Sequence, residues 1–297
     1  MQIVQKKRKG LFLSIELVSV LIILSTLFAT LVAGLGHMMN VHQVYKISKE
    51  YEEYSQAIVS FRAAFGAYPG DLSSASFSGT LNQANMQQNY NMLITSTQTT
   101  SYSALFSSPE TNHIDNRKAQ LAFTQMSLAG FINNKVDISY QISNACMGYS
   151  NLIRNIIPVT DYTNYGSWTI GMDSQNTSSG DNNSPKSSDI YNSSLYTNFA
   201  NKPRLILFRY SGISTCTIDV TAGNAGLVSG VVSEMLDEKI DDGFPNSKAG
   251  ILHADQQNLT GKCKALPTGS TSILDNKYVN SRANSGDSGC VLTFVVK

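Results

Sequence analysis

Glu16 is the only charge between Leu11 and Gly36, inside the run Leu11-Phe12-Leu13-Ser14-Ile15-Glu16-Leu17 and directly after Lys6-Lys7-Arg8-Lys9-Gly10. A carboxylate in an apolar span of membrane length costs free energy, so its first reading is functional. A second group of oxygens stands near the other end, where Asp237, Glu238, Asp241 and Asp242 crowd beside Gly243. Hard carboxylate oxygens at a tight turn suit calcium. The EF-hand spacing is absent, because the position two after Glu238 is Ile240. A simpler account is a helix ending in a solvated acidic turn, with Asp241 or Asp242 bonding the turn backbone.

The four cysteines are Cys146, Cys216, Cys263 and Cys290, with no C-x-x-C pair and no zinc spacing. An even count behind an export signal reads as two disulfides, against an alternative of four buried thiols. Of the three pairings, Cys263–Cys290 with Cys146–Cys216 is favoured, because Cys263 and Cys290 flank one C-terminal segment. The histidines His37, His42, His113 and His253 form no H-x-x-x-H or H-E-x-x-H pattern. No G-x-S-x-G, P-loop or dinucleotide fingerprint is present, so the expectation is a chain that is not an enzyme. A net charge of +1 leaves no electrostatic footprint for nucleic acid. Charged residues are only 14% of the chain, and a hydroxyl-rich, weakly charged surface suits an extracytoplasmic protein.

These residues have to be positioned by elements. From Leu11 to Gly36 a helix would extend about 39 Å, enough to cross a bilayer with tilt. The basic residues before it keep the N-terminus in the cytoplasm. A secretory signal peptide would have an apolar core of ~7–15 residues and no carboxylate in it. A plain anchor accounts for the length and not for Glu16. The pattern then continues: Ile47, Tyr51, Tyr54, Ile58, Phe61 and Phe65 lie three or four apart, on one face of a helix. Lys46, Lys49, Glu50, Glu52, Glu53 and Arg62 are assigned to its polar side. One helix from Leu11 to Phe65, about 80 Å long, follows, with His37 and His42 at the membrane boundary and Gly66 and Pro69 as its stop. The segments are therefore 1–10 as basic leader, 11–37 as the membrane half of the helix, 38–67 as its amphipathic half and 68–297 as an extracytoplasmic globular domain.

Downstream, a short helix is expected over 118–132 and a second over 227–240. Strands are expected at 136–142, around Trp168-Thr169-Ile170, at Leu205–Phe208 and at Val291–Val296. Residues 173–200 read as a long polar surface loop. The fold class is α+β: a long N-terminal helix packed on an antiparallel sheet. Asp71 is placed to cap the turn or helix after it.

Three stretches carry a resemblance. Gly10 followed by Phe12-Leu13-Ser14-Ile15-Glu16-Leu17 resembles the opening of type IV pilins and type II secretion pseudopilins. Tyr68-Pro69-Gly70-Asp71 and the segment Leu236 to Pro245 are similar to turns found in pseudopilin-like chains. The resemblance implies a pilin-like fold and cleavage by a prepilin peptidase around Gly10, Leu11 and Phe12, followed by N-terminal methylation. It also implies a single pass through a bacterial inner membrane, with the C-terminal domain in the periplasm or in an extracellular filament. The implied partners are other pilin-like subunits, and Glu16 would face the new terminal amine of a neighbour as a register lock. One departure stands out: counted after Gly10 the glutamate is sixth, where the family has it fifth; counted from Phe12 it is fifth, with Leu11 preceding. Some pseudopilins bind calcium near the C-terminus, but no ligand set carries over. The length of the chain tilts the reading to a minor subunit. The competing reading is a membrane-anchored binding domain or adhesin that does not polymerise, with the loop at 173–200 as its binding surface.

Overall fold

The computed structural model describes residues 3–73, 84–88, 114, 116–133, 158–162, 166–172, 202–209, 226–245, 250–255, 263–265, 277–278 and 289–297, with the side chains of the first helix from Ile15 onward. The chain divides into two units, Met1–Gln43 and Val44–Lys297.

Helix α1 runs from Ile3 to Phe65. It begins before the expected Leu11, because Lys and Arg are good helix formers and a lone Gly10 costs only about 1 kcal/mol. It ends where the sequence places its stop: Gly66 takes φ 76°, and its N–H donates to the Arg62 carbonyl at 2.8 Å.

In the unit from Val44 onward, the stripe becomes the core. Ile47, Tyr54, Ile58 and Phe61 are fully buried and Tyr51 nearly so. They lie against a four-stranded antiparallel sheet of β1 (Gly166–Gly171), β2 (Arg204–Arg209), β6 (Val291–Val295) and β3 (Leu252–Asp255), in that spatial order. The pairing register puts Trp168, Leu207, Leu292 and Ala254 in one row, and Ile170, Leu205, Phe294 and Leu252 in the next. Tyr51 stacks on Phe294 at 4.8 Å, and Tyr54 meets Trp168 edge-on at 5.9 Å. The architecture is thus α+β, a long helix and a small antiparallel sheet. Residues of the other sheet face, Ser167, Thr169, Ile206 and Thr293, are buried as well. The sheet is therefore covered on both sides, with β1 alternating Trp168 and Ile170 with hydroxyls and β2 apolar from Leu205 to Phe208.

Helix α2 covers Asn116–Leu128 and stops at Gly130, with φ 78°, rather than continuing to Ile132. The turn after α1 is built onto it. Gly70 has φ 90°, donates its N–H to Gln125 Oε1 at 2.6 Å, and a Cβ there would lie 2.3 Å from the Lys118 carbonyl oxygen. Only glycine fits such an approach. Asp71 forms an ion pair with Lys118, so among the described residues its carboxylate ties α1's exit to α2.

Helix α3 spans Gly230–Ile240. It starts later than the expected Leu227 because Val228 is bridged to Cys290 and Ser229 caps it, accepting from the Val232 N–H. Strand β3 and the small pair β4 (Lys264–Ala265) and β5 (Lys277–Tyr278) were not expected from the sequence. Cys263 and Cys290 form a disulfide, as expected. Cys146, Cys216, the strand expected at 136–142 and the loop at 173–200 lie outside the described residues.

Candidate functional site

Unit one offers a surface. Between Ile15 and Met39 the bulky side chains of α1 are exposed, and none of its apolar window is buried. By length and composition this helix can cross a membrane. At 100° per residue, Leu17, Leu21, Leu24, Phe28, Leu31 and Leu35 share one side. Glu16, Ser19, Thr26, Thr30 and Gly34 share the other, with Ile23 among them. The hydroxyls of Ser19, Thr26 and Thr30 donate to carbonyls three residues back, at 2.8–2.9 Å. Their polarity is satisfied locally, as apolar surroundings demand. Glu16 is exposed, and among the described residues nothing pairs with its carboxylate. Apart from Ile23, the residues of that face beyond Glu16 are small or hydroxyl-bearing, and in lipid such a face would let a second helix approach closely while the opposite one met acyl chains. Gly10, Leu11 and Phe12 lie within α1, and their side chains are outside the described residues.

The unit from Val44 holds a carboxylate that the sequence reading placed wrongly. Glu50 was assigned to the polar side of α1; it is buried, 3% exposed. It accepts from Thr160 Oγ1 at 2.5 Å, the Asp161 N–H at 2.5 Å and Trp168 Nε1 at 2.7 Å. The spacing held the clue, since Glu50 is three after Ile47 and four before Tyr54, at the edge of the apolar stripe. Its donors, more than a hundred residues away, left no local signal.

The acidic turn closes α3. Asp237 is fully buried, and Tyr278 of β5 donates its hydroxyl to Asp237 Oδ2 at 2.7 Å. Burial pushes the Asp237 carboxyl up to about 7; Asp241 and Asp242 add to the rise, while bonds from Tyr278 and the Gly243 amide oppose it. Burial beside Asp237 also raises the Tyr278 phenol well above its usual range. Asp241 Oδ2 accepts from the N–H groups of Ile251 and Leu252, at the start of β3. Asp242 Oδ1 accepts from the Phe244 N–H at 2.9 Å, across Gly243 with φ 78°. Ligand atoms of Asp237, Asp241 and Asp242 lie within 4.8 Å of one another. Glu238 is exposed and is not one of the three. Calcium takes six to eight oxygens, and the amides already engage one oxygen each of Asp241 and Asp242. The turn therefore has a sufficient structural account: Asp237 holds β5, and Asp241 holds β3.

The chain matches no protein-family model, no curated protein and no solved structure.

Proposed function

We propose that this chain is a structural subunit, and a minor one, of a type IV pilus or type II secretion pseudopilus, assembled by side-by-side packing of α1. The supporting observation is Glu16 on an exposed apolar helix whose small and hydroxyl-bearing residues share its side. In that reading the basic leader faces the cytoplasm, a prepilin peptidase cuts near Gly10, and the apolar half of α1 lies in the bacterial inner membrane before entering a filament. Glu16 then meets the terminal amine of a neighbouring pilin-like subunit. Two charges buried together in a helix bundle are tolerated, and either one alone is not.

Glu16→Ala tests this directly. The domain should keep its thermal transition, because Glu16 lies outside the unit from Val44 onward. Cross-linked or sedimenting assemblies should fall by about tenfold or more, the cost of leaving one buried charge unpaired. Mass spectrometry of the mature N-terminus is the companion measurement, with a chain beginning at Leu11 or Phe12 expected. An uncut chain whose Glu16→Ala variant behaves like the parent would favour the anchored binding domain that does not polymerise.

A further inference from the structure

We propose that Glu50 is a clamp fixing the register of the first domain turns of α1, residues 44–50, and that breaking it releases these turns while the rest of the fold stays closed. The donors that Glu50 engages are mounted on the sheet. Residues 158–162 run antiparallel to β1: the Thr160 N–H donates to the Gly166 carbonyl at 3.1 Å, and the Trp168 N–H to the Pro158 carbonyl at 3.0 Å. Thr160 Oγ1 accepts from the Tyr162 N–H at 3.1 Å, which orients its own hydrogen toward Glu50. One turn earlier on α1, Lys46 Nζ donates to the Asp161 carbonyl at 3.1 Å. Lys46 and Glu50 thus grip both peptide groups of Asp161 from a single helix face. On α3, Lys239 sits 5.7 Å over the Tyr45 ring.

Apolar contacts alone would not fix this register. A stripe with apolar residues every three or four positions can shift by one turn, about 5.4 Å, and still meet greasy surface. The same shift carries Glu50 out of reach of all three donors. A buried polar group that tolerates one alignment is the kind of device that selects register. From Tyr51 onward the hold on α1 is separate and aromatic: Tyr51 stacks on Phe294 at 4.8 Å and donates its hydroxyl to the Val295 carbonyl at 3.1 Å, Tyr54 meets Phe123 at 5.6 Å, Phe61 meets Phe131 at 6.0 Å, and Arg62 lies over Tyr68 at 4.3 Å. The boundary of release therefore falls at Tyr51. Residues 44–50 directly follow the apolar segment in the chain, so any pull on that segment enters the domain through them. The inference holds whether or not copies of the chain assemble.

Hydrogen exchange on the full chain in detergent micelles tests it. Glu50→Gln keeps the shape, but its amide nitrogen must face either Trp168 Nε1 or the Asp161 N–H, leaving one fixed donor without an acceptor. Amides of residues 44–50 and the indole N–H of Trp168, the only tryptophan, should exchange about tenfold faster, the worth of one orphaned buried donor. Residues 121–128 and 291–295 should keep their protection. Thr160→Val removes a single donor and should give the same local pattern at smaller size, which decides the matter if Glu50→Gln does not fold. Protection lost evenly across all these segments, or lost in none, would overturn the clamp.

Discussion

Two carboxylates of the domain are buried in different surroundings. Glu50 is buried among three donors, whereas Asp237 is buried with one hydroxyl and two acidic neighbours. For Asp237 the linkage has a definite sign. Its carboxyl is raised from 3.8 unfolded to about 7 folded, so the folded state holds the proton more tightly. Stability from this group is greatest below about pH 4, falls as pH rises toward 7, and is level above that. Unfolding in urea across pH 5–8 with a chelator present should show the parent losing up to a few kcal/mol relative to Asp237→Asn. A difference that stays flat with pH would refute the assignment. Calcium supplies the second arm. If Asp237, Asp241 and Asp242 bind it, millimolar calcium should favour the ionised group and restore stability at pH 8. An unchanged transition leaves the turn purely structural.

At the scale of elements, what was legible in the sequence was what local pattern dictates. The apolar period of three and four over Ile47–Phe65 marks α1's buried face, and Gly66 its stop, without knowledge of any partner. Strands β2 and β6 carry apolar runs dense enough to stand out, and β1 shows the alternation of Trp168 and Ile170 with hydroxyls. Strand β3 did not, because Leu252-His253-Ala254-Asp255 is short and mixed, and its pairing with β6 makes it a strand. The start of α3 moved to Gly230 for the same reason, since the partner of Val228 is Cys290, 62 positions on in the sequence. Glu50 was missed because charge was taken to mean exposure, and only the distant donors overturn that. The Cys263–Cys290 bridge was readable from the cysteine positions, and its weight can be measured. It closes a separation of 27 residues, so Cys263→Ser with Cys290→Ser should cost about 3 kcal/mol in urea unfolding. A loss under ~1 kcal/mol would mean that the paired Val228 and Cys290 backbones already hold that corner without the bond.

For the molecule as a whole, the two sides of the apolar half of α1 should behave differently. Leucines and Phe28 on one side suit acyl chains, and the side bearing Thr26, Thr30 and Gly34 has room for a neighbouring backbone. A Cβ added at Gly34 meets nothing within 4 Å, so enlarging this position does not disturb the chain itself. Any effect of such a change therefore belongs to what packs on it from outside. Thr30→Leu and Gly34→Leu should weaken association between labelled copies in bilayers by roughly tenfold, about 1.4 kcal/mol, because a bulky side chain there stops a second backbone from approaching in lipid. Leu21→Phe, an enlargement on the opposite side, should change association by less than about twofold. Energy transfer between donor- and acceptor-labelled chains reads both. Equal losses on both sides would show that the neighbour does not use this face. Unchanged association in all three variants would remove helix packing as the basis of assembly and leave α1 as an anchor for a separate domain.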